Sequence, residues 1–559
     1  MLGGTVTYPY ILTSKLCMRD SDPAKGYVIA TTLFCSGIAS FIQTTFGIRL
    51  PVIQGATFTF LVPTLAILSL PQWQCPTDFQ IIATRPRNST FRNWRTVADE
   101  EYTEVWESRM REVQGAIIMS SLVEVVIGLT GVMGFMLRYI TPLSIVPTIT
   151  LIGLSLFKEA TAPAGESWLI SGITIMLVII FSQYLVNMAF PYPKIRVTGE
   201  TKGVTWHKGK VIRMFPVLLT MLIAWSLCGL LTTWNAFPPD HPARTDGIMR
   251  KLVQDSPWIR VPYPFQWGWP TFSASAVLGM TAGVVASALE SVGDYYACAR
   301  LCETASPPTH AVNRGILMEG LGCVLSGIMG SGGGLTSYSE NVGAIGITRV
   351  ASRRVVQSAA VMMIMLSVFV KISALFATIP IPIIGGVLMT MFGLCSAVGL
   401  SNLQFVDLNS PRNIFILGSS LFLGLSIPKW VLDHPENIRT GSSNLDQVLY
   451  VLLSTSMFVG GAIAFFLDNT IPGSEEERGV KKWLTNNGGP TQQDKSHYDL
   501  PSPVNSWFKR LKFLPVSPSY TETEITNRVR KISHSLNFKR KNQTAAVTTA
   551  EVPMQDNAV

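Results

Sequence analysis

Two acidic residues, one helical turn apart, lie in an otherwise apolar part of the chain. Glu290 follows the small-residue run Gly283–Leu289, and Asp294 comes four residues later, so a helix places both on one face. A carboxylate at membrane depth is costly and needs a partner, a proton or a ligand. We expect Glu290 to accept hydrogen bonds from a polar planar solute, and Asp294 to supply oxygen to a monovalent cation. The structural alternative is a pair of caps at a helix end near Arg300.

Two apolar stretches are interrupted in a way that excludes a continuous helix. Residues 51–63 contain Gln54, Gly55 and two prolines, and residues 330–343 are rich in glycine. Interrupted backbone is tolerated in a membrane only where it is buried in protein or lines a cavity. Paired interruptions in the two halves of a membrane protein indicate an inverted repeat with a binding site at the midplane.

The interrupted stretches carry side chains that suit a flat heterocycle. Gln54, Thr57 and Phe58 lie in the first, and an aromatic ring stacks on a planar ligand while backbone groups bind its edge. Glu340 and Asn341 end the second, directly before an apolar run. Helix capping explains one of them. A half-helix that starts here also presents free N–H groups and a positive dipole end.

The composition predicts an all-α polytopic membrane protein. Of 559 residues, 48% are hydrophobic and 14% are charged, whereas soluble domains contain about 25% charged residues. Soluble, collagen-like, disordered and coiled-coil classes are therefore excluded. The apolar segments are residues 28–47, 52–70, 114–137, 141–158, 167–190, 213–233, 273–296, 311–330, 354–376, 382–400, 413–428 and 445–467, with a weaker one at 338–348.

The charge distribution predicts an orientation. The net charge of +9 lies in loops and in the C-terminal tail, without a nucleic-acid-binding motif. Residues 191–213 hold six Lys and Arg against one acid, so this segment is expected in the cytoplasm. Loop 71–113, three crossings earlier, is then extracellular, which suits the glycosylation sequon at Asn88. The tail is expected to be cytoplasmic and largely disordered.

Cysteine and histidine give no sign of catalysis or of a cofactor. The eight cysteines show no metal or redox spacing, and the six histidines form no nucleophile–base set. Cys17 is interpreted as a small apolar residue, while Cys75 lies in a loop with no partner that the sequence identifies. Residues 1–15 are too short to span and resemble the second half of a membrane helix.

A longer motif resembles a known family. Residues 340–349 match the signature of the nucleobase–ascorbate transporter family (solute carrier family 23): Gln, Glu or Pro, then Asn, any residue, Gly, four of any kind, Thr, and a basic residue or Gly. The resemblance runs from about residue 2 to about residue 480 and is strongest with the animal branch. Further matching stretches are Gly47–Pro51, Glu112–Ala116, Glu290–Arg300, Val350–Gln357, Gly399–Phe405 and Leu467–Gly473.

The resemblance implies fourteen spans in two inverted repeats of seven, with the interrupted stretches as spans three and ten. A core domain would hold the substrate and move like an elevator against a gate domain, which forms a homodimer. The first span is expected to be truncated, because its early half, with a Gln-His pair in the family, is absent. The implied divisions are residues 1–137 (first core segment), 138–233 (first gate segment), 234–272 (extracellular loop), 273–376 (second core segment), 377–470 (second gate segment) and 471–559 (tail).

The resemblance also implies residue roles. The acids that match Glu290 and Glu340 bind substrate in the family, and the acid that matches Asp294 lies in the sodium site of animal members. Asn341 shapes the end of span ten. The remaining signature residues influence specificity or gating: Gly343, Thr348 and Arg349.

The first signature position favours nucleobases over ascorbate. Ascorbate carriers have Pro there, whereas nucleobase carriers have Gln or Glu, and this chain has Glu340. Two carboxylates can accept from the ring N–H groups of uracil, xanthine or hypoxanthine, but they repel an anion such as ascorbate. We therefore expect sodium-coupled nucleobase uptake at the plasma membrane, with protons as the alternative coupling ion. Ascorbate transport, a channel and a truncated, non-transporting regulator are the other hypotheses.

Overall fold

Long apolar helices dominate the chain. The computed structural model describes residues 2–19, 22–75, 99–133, 139–185, 187–188, 190–196, 203–209, 212, 215–239, 241–246, 248–348, 350–474, 476–479, 497–501 and 515–517. Within these ranges seven helices are long and apolar enough to cross a membrane, and two sharply bent helix pairs raise this number to nine. The chain is therefore a mostly helical, multi-pass membrane protein. The count of fourteen spans, the repeat of seven and the core and gate divisions stay predictions.

The first half of the chain contains eight helices in the described ranges. They are α1 (Leu2–Lys15), α2 (Ala24–Thr45), α3 (Phe58–Leu68), α4 (Asp99–Thr130), α5 (Pro142–Ser155), α6 (Phe157–Gly165), α7 (Trp168–Ile179) and α8 (Pro216–Thr233). Proline begins α5 and α8, where its missing N–H costs no helical hydrogen bond. A π-helical turn, Ile180–Tyr184, continues α7.

The second half continues in the same manner. It contains α9 (Ile248–Asp255), α10 (Ala274–Leu301), α11 (Thr309–Met329), α12 (Ser339–Thr348), α13 (Arg353–Val368), α14 (Val370–Ala377), α15 (Ile381–Ser401), α16 (Pro411–Asp433), α17 (Ser443–Ser454) and α18 (Ser456–Thr470). The bent pairs are α13 with α14, at 83°, and α17 with α18, at 81°.

The prediction of an all-α protein is wrong in detail, because two short antiparallel strand pairs are present. Strand β1 (Gln54–Ala56) pairs with β4 (Leu335–Ser337), and β2 (Phe190–Arg196) pairs with β3 (Gly203–Gly209). The first pair joins the two interrupted stretches. It satisfies backbone groups that have no helical partner, which apolar surroundings require. The second pair overlaps the basic segment 191–213.

Loop 71–113 is shorter than predicted, because α4 begins at Asp99. The first turns of α4 are polar, so a threshold on apolar content misses them. Tyr102 and Trp106 in these turns are nevertheless buried. The Trp106 ring packs edge-on against Trp267, with 5.0 Å between the ring centroids. These aromatic contacts anchor the polar start of α4 to the segment before α10.

The interpretation of Cys17 as a simple apolar residue is also wrong. Cys17 forms a disulfide with Cys75, and their Cα atoms lie 5.8 Å apart. Cys17 follows α1 and Cys75 follows α3. The disulfide therefore ties the ends of two helices that are 58 residues apart in sequence.

Large apolar side chains cover the outer faces of several helices. Leu169 and Phe422 are both 72% exposed, and Met362 is 59% exposed. A soluble monomer rarely exposes so much apolar surface. A lipid bilayer is the environment that suits these faces.

Two short pieces of the tail pack against the helices. The tail is predicted to be largely disordered, but Tyr498 is 1% exposed and donates to the carbonyl of Ala305 over 2.6 Å. Its burial raises the pKa of Tyr498 to about 12. The fully buried Arg314 donates to the carbonyls of Gly47 and Tyr498. In the second piece, the carbonyl of Pro515 accepts a hydrogen bond from the side-chain amide of Asn313 over 3.3 Å.

Candidate functional site

The two interrupted stretches meet at the β1–β4 pair. Gln54 is opposite Ser337, and Ala56 is opposite Leu335. The pairing extends on both sides, because Tyr338 N donates to Ile53 O over 3.0 Å and Thr57 N donates to Gly334 O over 3.4 Å. A short helix follows each strand, α3 after β1 and α12 after β4. The pair thus brings the beginnings of two half-helices to one place.

The beginning of α3 holds Glu290. Thr57 is the N-cap of α3, and its hydroxyl accepts from the N–H of Thr59 over 3.2 Å. The hydroxyls of Thr57 and Thr59 are 2.9 Å apart. Thr59 Oγ1 in turn donates to Glu290 Oε2 over 2.9 Å. Thr57 therefore orients Thr59, and Thr59 orients the carboxylate.

The beginning of α12 holds Asp294. The hydroxyl of Ser339, the first residue of α12, donates to Asp294 Oδ1 over 2.9 Å. Asp294 is 7% exposed. One turn of α10 separates the two acids, so each contacts a different half-helix. The cap alternative near Arg300 is wrong, because both acids lie within α10, which ends at Leu301.

Asn341 joins α12 to the facing stretch. Its amide donates to the carbonyl of Pro51 over 2.9 Å. The adjacent Tyr338 hydroxyl donates to the carbonyl of Ala56 over 2.8 Å. These contacts fix the second interrupted stretch against the first.

Gln54 is a buried amide with an unused acceptor. Its side chain is 0% exposed, and its Nε2 donates to Ser337 Oγ over 3.0 Å. Its Oε1 has no hydrogen-bond partner among the described residues. A buried carbonyl oxygen without a donor is unfavourable, so a ligand N–H at this position would stabilise it.

Phe58 begins α3 and packs across to α15. Its ring meets Phe392 edge-on, with 4.8 Å between the centroids. Phe58 is only partly buried, whereas Phe60 is fully buried in the hydrophobic core. The structure thus places Phe58, and not Phe60, at an accessible edge of the site.

Glycine is needed where the second interrupted stretch passes its neighbours. Gly332 has a positive φ of 77°, which L side chains rarely adopt. A Cβ at Gly334 would overlap the ring of Phe60. Tyr8 of α1 also reaches this stretch, and its hydroxyl donates to the carbonyl of Gly332 over 2.9 Å.

A buried polar network behind the strand pair was missed from the sequence. Ser291 Oγ lies 2.7 Å and 2.5 Å from the two carboxylate oxygens of Glu319 and accepts from Ser337 N over 3.1 Å. Thr336 and Tyr295 also donate to Glu319, over 3.0 Å and 3.1 Å. The sequence does contain a sign of this network, because Glu319 is an acidic residue within the apolar segment 311–330.

The structure describes no side-chain contacts for the other predicted site residues. Glu340 and Thr348 are the second and last residues of α12, and their side chains lie outside the described portion of the structure. Gly343 lies between them, and a Cβ there would meet no atom within 4 Å. Arg349 and Asn88 lie outside the described residues. The roles of these five residues stay predictions.

Sequence comparisons with known proteins agree on one family. The permease family model Xan_ur_permease matches residues 1–432. The chain is 49% identical to solute carrier family 23 member 2 of Homo sapiens, over 92% of this chain and 78% of that protein. It is 45% identical to solute carrier family 23 member 1 of Rattus norvegicus, over 93% of this chain and 86% of that protein.

More distant matches include a plant protein and a solved structure. Nucleobase-ascorbate transporter 2 of Arabidopsis thaliana is 35% identical over 91% of both chains. The transmembrane domain of the cyanobacterial bicarbonate transporter BicA is 15% identical, with a TM-score of 0.44, and the match covers 76% of this chain and 96% of that chain. The signature at residues 340–349, the family model and the extent of the identity lead to one conclusion: the chain belongs to the nucleobase–ascorbate transporter family, solute carrier family 23.

Proposed function

We propose that this chain is a secondary active transporter that takes up uncharged nucleobases together with sodium. The observation that carries the proposal is the contact from Thr59 to Glu290, which fixes a carboxylate beside the β1–β4 pair. Uracil, xanthine and hypoxanthine present ring N–H donors next to carbonyl acceptors. Glu290, Gln54 Oε1 and Glu340 would accept from the donors, and backbone N–H groups at the half-helix starts would bind the carbonyls.

Phe58 supplies the apolar contact that a planar ring requires. An aromatic ring beside hydrogen-bonding groups binds the face of a heterocycle while its edge is recognised. Phe392 supports Phe58 from α15. In the elevator mechanism that the family resemblance implies, α3 belongs to the moving core and α15 to the gate. Phe58 would then lie where the two domains slide past each other, in a plasma-membrane homodimer.

Asp294 is the proposed sodium ligand. Hard oxygen ligands suit a monovalent cation, and Asp294 and Ser339 both present oxygen at the start of α12. One sodium ion that accompanies a neutral base moves net charge, which contributes about 2.3 kcal/mol per 100 mV of membrane potential. A proton is the alternative coupling ion.

Ascorbate is the alternative substrate, because the Arabidopsis relative is named a nucleobase-ascorbate transporter. Charge argues against it here. Glu290 is acidic and is fixed beside the β1–β4 pair by Thr59, and fixed negative charge repels an anion at close range. The Glu340 side chain, where the signature of ascorbate carriers has Pro, would add to this repulsion.

The test is competition uptake. Radiolabelled uracil would compete with xanthine, hypoxanthine and ascorbate, with and without sodium. We expect saturable, sodium-dependent uptake that the bases inhibit and ascorbate does not. Glu340→Pro should abolish base uptake, while Glu340→Gln, which keeps an acceptor, should retain some of it. Glu104→Gln, at an exposed position of α4, is the control. Base uptake unchanged by Glu340→Pro would overturn the substrate assignment.

A further inference from the structure

In addition to Glu290 and Asp294, a second pair of acidic side chains lies inside the helix bundle. Glu124 on α4 and Glu319 on α11 are 0% and 1% exposed. The two helices pack closely, because Gly320 of α11 lies against the backbone of Glu124 and Val125. The two carboxyl groups face each other closely enough to interact.

Hydrogen bonding distinguishes the two acids. Glu319 accepts from the hydroxyls of Ser291, Thr336 and Tyr295 over 2.5–3.1 Å. Three donors are what an ionised carboxylate needs. Neither oxygen of Glu124 has a partner with hydrogen-bond geometry in the described portion of the chain. The Glu319 carboxyl and the Cys323 thiol lie beside it, and a thiol is a weak donor. An ionised carboxylate without donors is very unfavourable in a buried site.

We propose that Glu124 and Glu319 hold one proton between them, with the proton on Glu124 and the charge on Glu319. Two ionised carboxylates in contact inside protein would repel each other strongly, because the surroundings screen charge poorly. Among the described residues, the other titratable side chains that face the pair are Tyr295 and Cys323, and neither supplies positive charge. A proton is therefore the ligand that balances the pair.

The proton site is linked to the substrate site through β4. Thr336 of β4 contacts Glu319, and Ser291 contacts both Glu319 and the N–H of Ser337. Ser337 in turn binds Gln54. A second negative charge at the pair would rearrange the hydroxyls that hold β4. On the basis of the proposed function, loss of this proton therefore lowers uptake at alkaline pH.

The first test detects the proton without any substrate, so that its failure and that of the transport assignment are distinguishable. Infrared spectra of the purified full chain at neutral pH should contain a protonated-carboxyl C=O band that Glu124→Gln removes. Glu104→Gln, with a 63% exposed carboxyl on the same helix, should leave that band unchanged. A band that survives Glu124→Gln in a folded protein would overturn the proposal.

The second test measures initial uptake of radiolabelled uracil from about pH 6 to about pH 9 at saturating sodium. Wild type and Glu104→Gln should lose activity at the alkaline end. The uptake rate should fall by about tenfold for each pH unit above the pKa at which the pair loses its proton. Glu124→Gln, which is permanently neutral, should show a flat alkaline profile. An alkaline loss that persists in Glu124→Gln, or a changed sodium dependence with an unchanged pH profile, would contradict the proposal. The latter result would indicate bound sodium.

Discussion

The hydroxyl of Thr59 lies 2.9 Å from Oε2 of Glu290, although 231 positions separate the two residues in the sequence. One turn further along α10, Ser339 makes the equivalent contact with Asp294. A single helix thus presents one carboxylate to the start of α3 and the next to the start of α12. A displacement of either half-helix would alter both the proposed base site and the proposed sodium site, which gives a direct route for coupling.

Loss of the Thr59 hydroxyl should weaken substrate binding. Thr59→Val keeps the side-chain volume but removes the donor to Glu290. A hydrogen bond to a charged group contributes about 1.5–3 kcal/mol, so the KM for uracil should rise by about tenfold to a hundredfold. Saturation uptake at constant sodium measures this change.

Two companion variants make this result specific. Thr64→Val removes a buried hydroxyl of the same helix, which donates to the carbonyl of Phe60 over 2.7 Å and interacts with Tyr8, and the KM should change little. Thr59→Ser keeps the donor and should stay close to wild type. An equal KM in Thr59→Val and Thr64→Val would show that the contact to Glu290 does not matter for binding.

Loss of the Ser339 hydroxyl should affect the sodium dependence instead. Ser339→Ala removes the group that orients Asp294, so the sodium concentration for half-maximal uptake should increase by about tenfold. Ser339→Thr should restore it. Sodium titrations at saturating uracil measure the shift. A higher KM for uracil without a sodium shift would argue against a cation at Asp294.

The two interrupted stretches of the candidate site could be predicted from the sequence because their signals are local. Glycines, prolines and acids inside apolar segments identified both interrupted stretches and Glu290. The contacts that orient these groups could not be predicted. The partners Gln54 and Ser337 are 283 positions apart, and hydroxyl residues such as Thr59 and Ser339 are too common in membrane helices to stand out. Their role depends on the pairing of β1 with β4. These strands have three residues each, which is too short for an alternating sequence pattern to reveal them.

Helix boundaries and the disulfide illustrate the same limit. The polar start of α4 is stabilised by Trp106 against Trp267, a tertiary contact that a hydropathy pattern cannot reveal. Cys17 and Cys75 become partners only because α1 and α3 end close together.

Substitution of Gly334 should destabilise the protein. A Cβ there would overlap the ring of Phe60, and overpacking of a core costs about 1–3 kcal/mol. Gly334→Ala should therefore lower the Tm in detergent, and Phe60→Leu in the same chain should recover some of the loss. Gly418→Ala, where a Cβ meets no atom within 4 Å, should leave the Tm close to wild type. Equal Tm values for both alanine variants would contradict the close approach.

The Cys17–Cys75 disulfide should form outside the cell, where oxidising conditions allow it. Cys17→Ala frees Cys75, which a membrane-impermeant maleimide should then label on intact cells. The wild type and the double alanine variant should stay unlabelled at these positions. Loss of the disulfide should also reduce stability by about 2–4 kcal/mol. Labelling only after permeabilisation would reverse the predicted orientation.

The contact between Arg314 and the tail should control how firmly the tail is held. Arg314 is fully buried and donates to Gly47 O over 2.8 Å and to Tyr498 O over 2.7 Å. Arg314→Met keeps the apolar stem but removes both donors. Hydrogen exchange follows local opening, so amides in residues 497–501 should exchange at least about tenfold faster.

Tyr498→Phe provides the comparison, because it removes the hydroxyl that donates to Ala305 and leaves in place the backbone carbonyl that Arg314 contacts. Its effect on exchange in residues 497–501 should be several-fold smaller than that of Arg314→Met. The reverse order would mean that the tyrosine hydroxyl, and not the guanidinium, anchors the tail. Because Gly47 lies four positions before the first interrupted stretch, a released tail should also loosen the segment that leads into that stretch. Amides in residues 48–53 should therefore exchange faster in Arg314→Met than in Tyr498→Phe.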